Sequence, residues 1–289
     1  PGLYQPNALS PEELAQGKVL ACCATALEDC EIEYDASAVR TNIKEYTASV
    51  VDMTKLTHDV MRVTLKLPNK DRIPFKAGQY INIILDDGQR RAFSFANPPH
   101  FGDIIELQIR LMPGGRFTTH VFEGMKVGDQ VRFEGPVGDF TLRESERPIV
   151  FVAGATGFAP VKSMVEDAFR RGIKRQIHLY WGVKQLKDLY LPELPQQWAK
   201  EHANFHFIPV LSEPAPEDNW SGRTGMVHEA ILTDFPELKG HEIYACGSVR
   251  MVEAIFPFLK AHGAEDGQCF SDAFTLSARS MAYQPPLKQ

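Results

Sequence analysis

The sequence lacks any apolar run near the ~20 residues that span a bilayer, and no basic-then-apolar leader opens it. It begins Pro1-Gly2-Leu3-Tyr4 without an initiator methionine, so the expectation is a processed or partial chain. Cysteine is scarce and odd in number: Cys22, Cys23, Cys30, Cys246 and Cys269 among 289 residues. That count and scatter exclude a disulfide framework and point to a reducing, cytoplasmic compartment. Basic excess is missing too. Lys and Arg total 31 against 37 Asp and Glu, a net charge of -6, which argues against nucleic acid or an anionic membrane as partner. There is no internal repeat and no low-complexity tract. What remains is ordinary for a soluble globular protein, 44% hydrophobic and 24% charged, with length for about two domains.

Three stretches differ in character. Residues 1–38 form a short unit carrying three of the cysteines. Ser10-Pro11-Glu12-Glu13 reads as a helix start, with a capping hydroxyl, Pro in the first turn and acids behind it. Residues 45–146 read as all-β, with strand-like runs at 48–53, 60–65, 80–85 and 105–110. A further run at 131–134 ends at Gly135-Pro136. Ile105 to Arg110 alternates cleanly, and one helix is expected from Arg116 to Glu123. Many short strands with Gly and Pro turns indicate a barrel or sandwich. Residues 148–275 alternate strand and helix. Ile149 to Ala153 is a continuous apolar run, as in a buried parallel strand. Further strands are expected at 177–181, 205–210 and 242–246, with helices at 160–171 and 249–262. Residues 276–289 read as a peripheral tail.

Gly154-Ala155-Thr156-Gly157 lies between the buried strand and the helix, followed by Pro160. Glycine there permits close approach of a ligand, and the helix start offers free N–H groups to a pyrophosphate. An ordinary tight strand–helix turn is the competing reading. The spacing is not the G-x-G-x-x-G dehydrogenase fingerprint, and no Gly-Lys-Ser/Thr follows, which disfavours phosphotransfer.

In the all-β part, Arg91-Ala92-Phe93-Ser94 follows a hairpin signal. Gly114-Gly115-Arg116-Phe117-Thr118 opens a helix, and Gly135-Pro136-Val137-Gly138-Asp139-Phe140 closes the region. With these in order, residues 45–275 resemble the ferredoxin–NADP reductase family. Within it, the likeness is to NADH-dependent reductase components of multicomponent (aromatic-ring) oxygenases and to the related glucoseen reductases. The resemblance implies a β + α/β fold: an antiparallel Greek-key flavin-binding barrel (45–146), then a parallel-sheet NAD-binding α/β domain (148–275).

The resemblance also implies roles. Arg91 pairs with FAD phosphate, where its fork suits the anion; Phe93 stacks on the isoalloxazine, with Ala92 between them. Ser94 is a catalytic group, hydrogen-bonding flavin N5. The family usually has Tyr where this chain has Phe93, so a phenolic hydrogen bond is lost. Gly115, Arg116, Phe117 and Thr118 cover the pyrophosphate, and Ile109, Arg110 and Leu111 flank the ribityl and adenylate side. Gly154, Thr156, Gly157 and Pro160 match the nucleotide turn, with Ala155 replacing its usual second glycine; Trp181 and Gly182 join the same set. Cys246-Gly247-Ser248 with Met251 matches a Cys-Gly-x-x-x-Met element that sets Cys246, the second catalytic position, against nicotinamide C4. From the residue alone, Cys246 reads as a small buried residue at a strand end. Phe270 to Phe274 resembles the segment that reaches over the flavin; a last core strand is the other reading.

The cofactors implied are FAD and NADH, with NADPH possible. Lys184, Lys187 and Arg223 are the candidate ligands for a 2′-phosphate. Leu20-Ala21-Cys22-Cys23 resembles the last cysteine segment of a plant-type [2Fe–2S] ferredoxin, with Cys22 as the matching metal ligand. Its companion C-x₄-C-x₂-C group is absent, so a cluster requires cysteines upstream of Pro1. The activity implied is transfer of hydride from NAD(P)H to FAD, then of single electrons through the cluster to a ferredoxin or terminal oxygenase. A stand-alone flavin reductase or diaphorase and a non-catalytic flavin electron-transfer subunit are the alternatives.

Overall fold

The structure is a computed structural model describing residues 43–274; the helix start at Ser10, the Cys22 segment and the tail 276–289 lie outside the described residues. Strands β1 (Lys44–Lys55), β2 (Val60–Lys66), β3 (Tyr80–Ile84), β4 (Arg90–Ser94), β5 (Ile104–Arg110) and β6 (Gln130–Val137) form an antiparallel sheet. Their order is β4-β3-β6-β1-β2-β5. The sheet curls until its two edge strands meet. Ala96 N–H donates to Glu106 O at 2.8 Å, and the Asn97 amide accepts from Glu106 N–H (2.8 Å) and donates to Ile104 O (2.9 Å). Closure of this kind removes the exposed edges that an open sheet would leave.

Alternation along β5 decides what faces where. Ile105, Leu107 and Ile109 are buried in the barrel core with Val63, Leu65, Ile81 and Phe133, leaving Glu106, Gln108 and Arg110 on the outer face. Helix α1 (Arg116–Glu123) contributes Phe117 and Val121 to that core. Strand β6 does not stop at Gly135-Pro136 but runs to Val137. Pro cannot donate to a ladder. Its place is made by a shift in the β3–β6 register, where pairing passes from Tyr80↔Val137 to Asn82↔Glu134.

The second sheet is parallel, in the order β10-β9-β8-β7-β11-β12. It comprises β7 (Ile149–Gly154), β8 (Ile177–Val183), β9 (Phe205–Leu211), β10 (Arg223–Thr224), β11 (Glu242–Ser248) and β12 (Cys269–Phe274). Helices α2 (Phe158–Arg170), α3 (Glu193–Glu201), α4 (Val227–Asp234) and α5 (Val249–Lys260) connect them. Successive residues of β7 serve opposite faces. Phe151 and Ala153 pack with Phe158, Met164 and Trp181, and Val150 and Val152 with Ile231, Ile243 and Ile255. Strand order reverses between β7 and β11, and the crevice outside their carboxyl ends is where such sheets bind ligands.

The two sheets are tied by polar contacts. On α2, the buried Lys162 ammonium donates to Ala96 O at 3.0 Å and lies 3.6 Å from Glu106. Beside it, Ser163 Oγ donates to Asn97 O at 2.7 Å. The connecting segment is held from below, where Tyr244 OH accepts Arg143 N–H at 3.0 Å and Arg175, in a buried ion pair with Glu242, donates from Nε to Arg147 O. Among the described residues no helix is long and apolar enough to cross a membrane.

Candidate cofactor and nucleotide site

A cleft of about 430 Å³ lies where the barrel meets the carboxyl edge of the parallel sheet. Its barrel wall is β4 with the start of α1. On β4, Arg91 and Phe93 are half-buried and Ser94 is buried, and all line the cleft with the exposed Ala92. Arg91 donates to Arg90 O (2.7 Å) and Gln89 Oε1 (2.6 Å), and no carboxylate pairs with it among the described residues. Its charge is therefore available to an anion. The neighbouring cations are engaged: Arg90 with Glu134 (2.7 Å), Arg110 with Asp59 (2.6 Å) and Arg116 with Asp87. The Arg116 guanidinium helps hold Asp87 below the usual carboxylate range, after the larger effect of the Gln89 backbone hydrogen bond.

Phe93 faces Phe117 across 5.3 Å at 48°. The loop before α1 is folded by Thr118, whose hydroxyl accepts Met112 N–H (3.1 Å) and lies 3.2 Å from Gly115 O. A Cβ on Gly115 would stand 2.5 Å from that hydroxyl, so glycine is required for the loop to close. Gly115, Arg116, Phe117 and Thr118 all line the cleft, beside first-turn amides that lack helical acceptors.

The opposite wall is built from Thr156, Ala159, Asp272, Ala273 and Phe274. Here the glycines serve the chain itself. A Cβ on Gly157 would lie 2.1 Å from Cys246 O, and one on Gly154 would lie 2.4 Å from Met251 Sδ. Gly247, with φ +156°, is 3.2 Å from Gly154 Cα by the same construction. Within the protein, these glycines let the β7 turn approach the end of β11 closely. Cys246 is fully buried, and burial pushes its thiol well up, with Asp272 adding to the shift. Ser248 caps α5 by accepting Met251 N–H at 3.3 Å.

Several expected contacts stand behind the cleft. Trp181 is fully buried, stacked on Phe158 at 3.9 Å, and donates to Ala155 O at 2.9 Å, so it braces the turn. Ile109 points into the barrel core, because alternation turns Gln108 and Arg110 outward. Gly157 and Pro160 are buried, and Leu111 and Gly182 are half-buried outside the cleft lining. Phe270 is at the other end of β12, stacked on Tyr244 (4.8 Å) with Arg143 over its ring (4.9 Å). Phe274 does line the cleft. Both readings of this segment therefore hold in part: β12 is the last strand of the sheet, and its carboxyl end enters the cleft.

Asp272 and Gln108 are among the cleft residues that the sequence patterns do not single out. Asp272 is paired in register with Cys246. Burial raises its carboxyl to about 6, against the lowering effect of a hydrogen bond with Ser94. Gln108 is the other; the alternation of β5 is the signal that would have found it. The set fits a flavin dinucleotide: a guanidinium with no carboxylate partner among the described residues, an aromatic ring, a helix start, and Ser94 beside Asp272 in one cleft.

Comparison with known proteins agrees. Residues 47–142 match the oxidoreductase FAD-binding domain family and residues 151–256 the oxidoreductase NAD-binding domain family. The chain is 39% identical over 271 residues to the CDP-6-deoxy-L-threo-D-glycero-4-hexulose-3-dehydrase reductase of Yersinia pestis, covering 93% of this chain and 81% of that one. It is 35% identical to the phenol 2-monooxygenase reductase component of Pseudomonas sp. (strain CF600), covering 96% and 80%. Among solved structures, the Amycolatopsis cytochrome P450 reductase GcoB superposes with TM-score 0.81 at 34% identity, covering 93% and 81%. The chain therefore belongs to the ferredoxin reductase family, as an oxidoreductase with FAD- and NAD-binding domains.

Proposed function

We infer that the chain takes hydride from NADH at the cleft and delivers electrons singly to an iron–sulfur centre, and onward to an oxygenase or similar partner. The observation that carries this reading is that both motifs reach one cleft, Arg91–Ser94 from the barrel and Thr156 with Asp272 from the parallel sheet. Bound FAD would supply the conversion of a two-electron donor into one-electron deliveries. The protein's part is binding and positioning. Arg91 holds phosphate, Phe93 offers a ring face, and Ser94 and Asp272 present a hydroxyl and a carboxyl that can hold a proton near neutrality. Cys246 supports the β11 end from within the core.

NADH is favoured over NADPH by what two of the three candidate 2′-phosphate ligands, Lys184 and Arg223, already do. Lys184 is 3.2 Å from Glu213, and Arg223 is paired with Asp234. A phosphate would have to displace an acid at either place. The acceptor side rests on the relatives, named as reductases of oxygenases and of a sugar dehydrase. A [2Fe–2S] centre using Cys22 depends on cysteines upstream of Pro1.

Steady-state reduction of a one-electron acceptor by the FAD-loaded protein tests this reading. NADH is expected to exceed NADPH more than tenfold in kcat/KM, the scale of about 1.4 kcal/mol. A preference for NADPH would overturn the nucleotide assignment. No turnover with either would overturn the reductase reading.

A further inference from the structure

Gln108 is only 5% exposed, yet it lines the cleft between the inward-facing Leu107 and Ile109. Its amide is fixed at both ends. Tyr190 OH donates to Oε1 at 2.8 Å, and Nε2 donates to Glu106 Oε1 at 3.2 Å. The partners set the amide's orientation: a carboxylate only accepts, so the NH₂ end must face Glu106. That NH₂ carries a second hydrogen, and no acceptor takes it among the described residues. A buried amide with an uncommitted donor costs stability that an apolar side chain of the same size would not. The cost is recovered if a ligand in the cleft accepts the bond.

Tyr190 comes from the parallel-sheet domain and is itself buried, at 2% exposure. Its ring meets Trp181 edge-on at 5.0 Å and 85°, and Trp181 Nε1 donates to Ala155 O at 2.9 Å. Ala155 precedes Thr156, which lines the cleft. One run of contacts thus joins the β5 wall to the nucleotide turn: Gln108, Tyr190, Trp181, Ala155.

We propose that Gln108 is a cofactor-contacting hydrogen-bond donor and that Tyr190 is its positioning residue, so that the nucleotide domain sets the orientation of a donor presented to FAD. This rests on the FAD reading above. Tyr190 acts through Gln108, so its hydroxyl matters to the cofactor only while the Gln108 amide is present.

The test is a double-mutant cycle with Tyr190→Phe, which keeps the ring, and Gln108→Met, which keeps the volume. Fluorescence titration of the apoprotein gives the FAD dissociation constant, and the visible band of the bound flavin gives a signature of its contacts. Each single change is expected to weaken FAD binding about fivefold, the effect of one neutral hydrogen bond. Both are expected to shift the visible band in the same direction. The double variant is expected to be no weaker than Gln108→Met alone, a coupling that independent sites do not show. Wild-type affinity with an unshifted band in Tyr190→Phe would overturn the proposal, as would losses that simply multiply in the double variant. If wild-type protein bleaches with NADH while Tyr190→Phe is silent, this proposal alone falls. If wild-type protein binds no FAD, the functional reading falls with it.

Discussion

The two walls of the cleft use their motif residues in opposite ways. On the barrel wall, Arg91 has no carboxylate partner among the described residues and Phe93 offers a half-buried ring. On the parallel-sheet wall, Gly154, Gly157, Gly247, Cys246 and Met251 are spent on one another, and Trp181 braces the turn from behind. The first wall leaves its motif side chains open to the cleft. The second is built to hold a turn and a strand end in register, and only Thr156, Ala159 and the end of β12 reach the cleft. A motif residue can thus shape the turn without lining the cleft.

Substitutions should separate the two walls. The largest effect is expected from Gly157→Ala. The added Cβ would meet backbone atoms, Cys246 O at 2.1 Å and Cys246 C at 2.6 Å, which cannot rotate away. Thermal or denaturant unfolding of the apoprotein should show a loss of about 3 kcal/mol. An unchanged midpoint would show that this glycine serves a ligand after all.

Arg91→Ala should do the reverse. Apoprotein stability should stay within about 0.5 kcal/mol, as for surface groups at the mouth of a cleft without a paired charge. FAD affinity should fall by about 1.5–3 kcal/mol, the range for a charged hydrogen bond. A stability loss with unchanged FAD affinity would place Arg91 with the scaffold instead.

Asp272 sharpens the comparison through pH. Its native carboxyl titrates at about 6 because burial disfavours the anion. The unfolded chain gives up that proton near pH 4. Between these values the native state binds more protons, so Asp272 makes stability fall as pH rises through this window. Above it the cost is about 2–3 kcal/mol. Asp272→Asn should therefore be the more stable protein at pH 7, with the difference vanishing below pH 4. Parallel pH–stability curves would contradict this.

The smallest effect is expected at Ala155, which holds φ +47° in a region that disfavours a Cβ. Ala155→Gly should relieve about 1–2 kcal/mol of strain and give back about 0.5–1 to unfolded-chain freedom. The net gain is between zero and about 1.5 kcal/mol, visible as a small rise in Tm.

The architecture was largely legible, because period-2 runs and continuous apolar strands are direct imprints of one-sided and two-sided burial. Helix Arg116–Glu123 matched its expected bounds. Helix α3 went unseen because Pro192 and Pro195 mask its start, where proline is tolerated in the first turn. At the site, Arg91–Ser94 was readable because a short strand places its own side chains. The family resemblance points to Ile109, whereas alternation along β5 puts Ile109 in the core and its neighbour Gln108 in the cleft lining. Asp272 was hidden because its character comes from burial beside Ser94, a contact between residues far apart in the chain. The inward turn of Trp181 was likewise a matter of packing that no local pattern encodes.

In the proposed function, hydride from NADH reaches a flavin held between these two walls. The most direct test is anaerobic mixing of the FAD-loaded protein with NADH, followed at the visible flavin band. The visible band is expected to bleach within a single turnover. A flavin that stays oxidised while NADH is bound would contradict it.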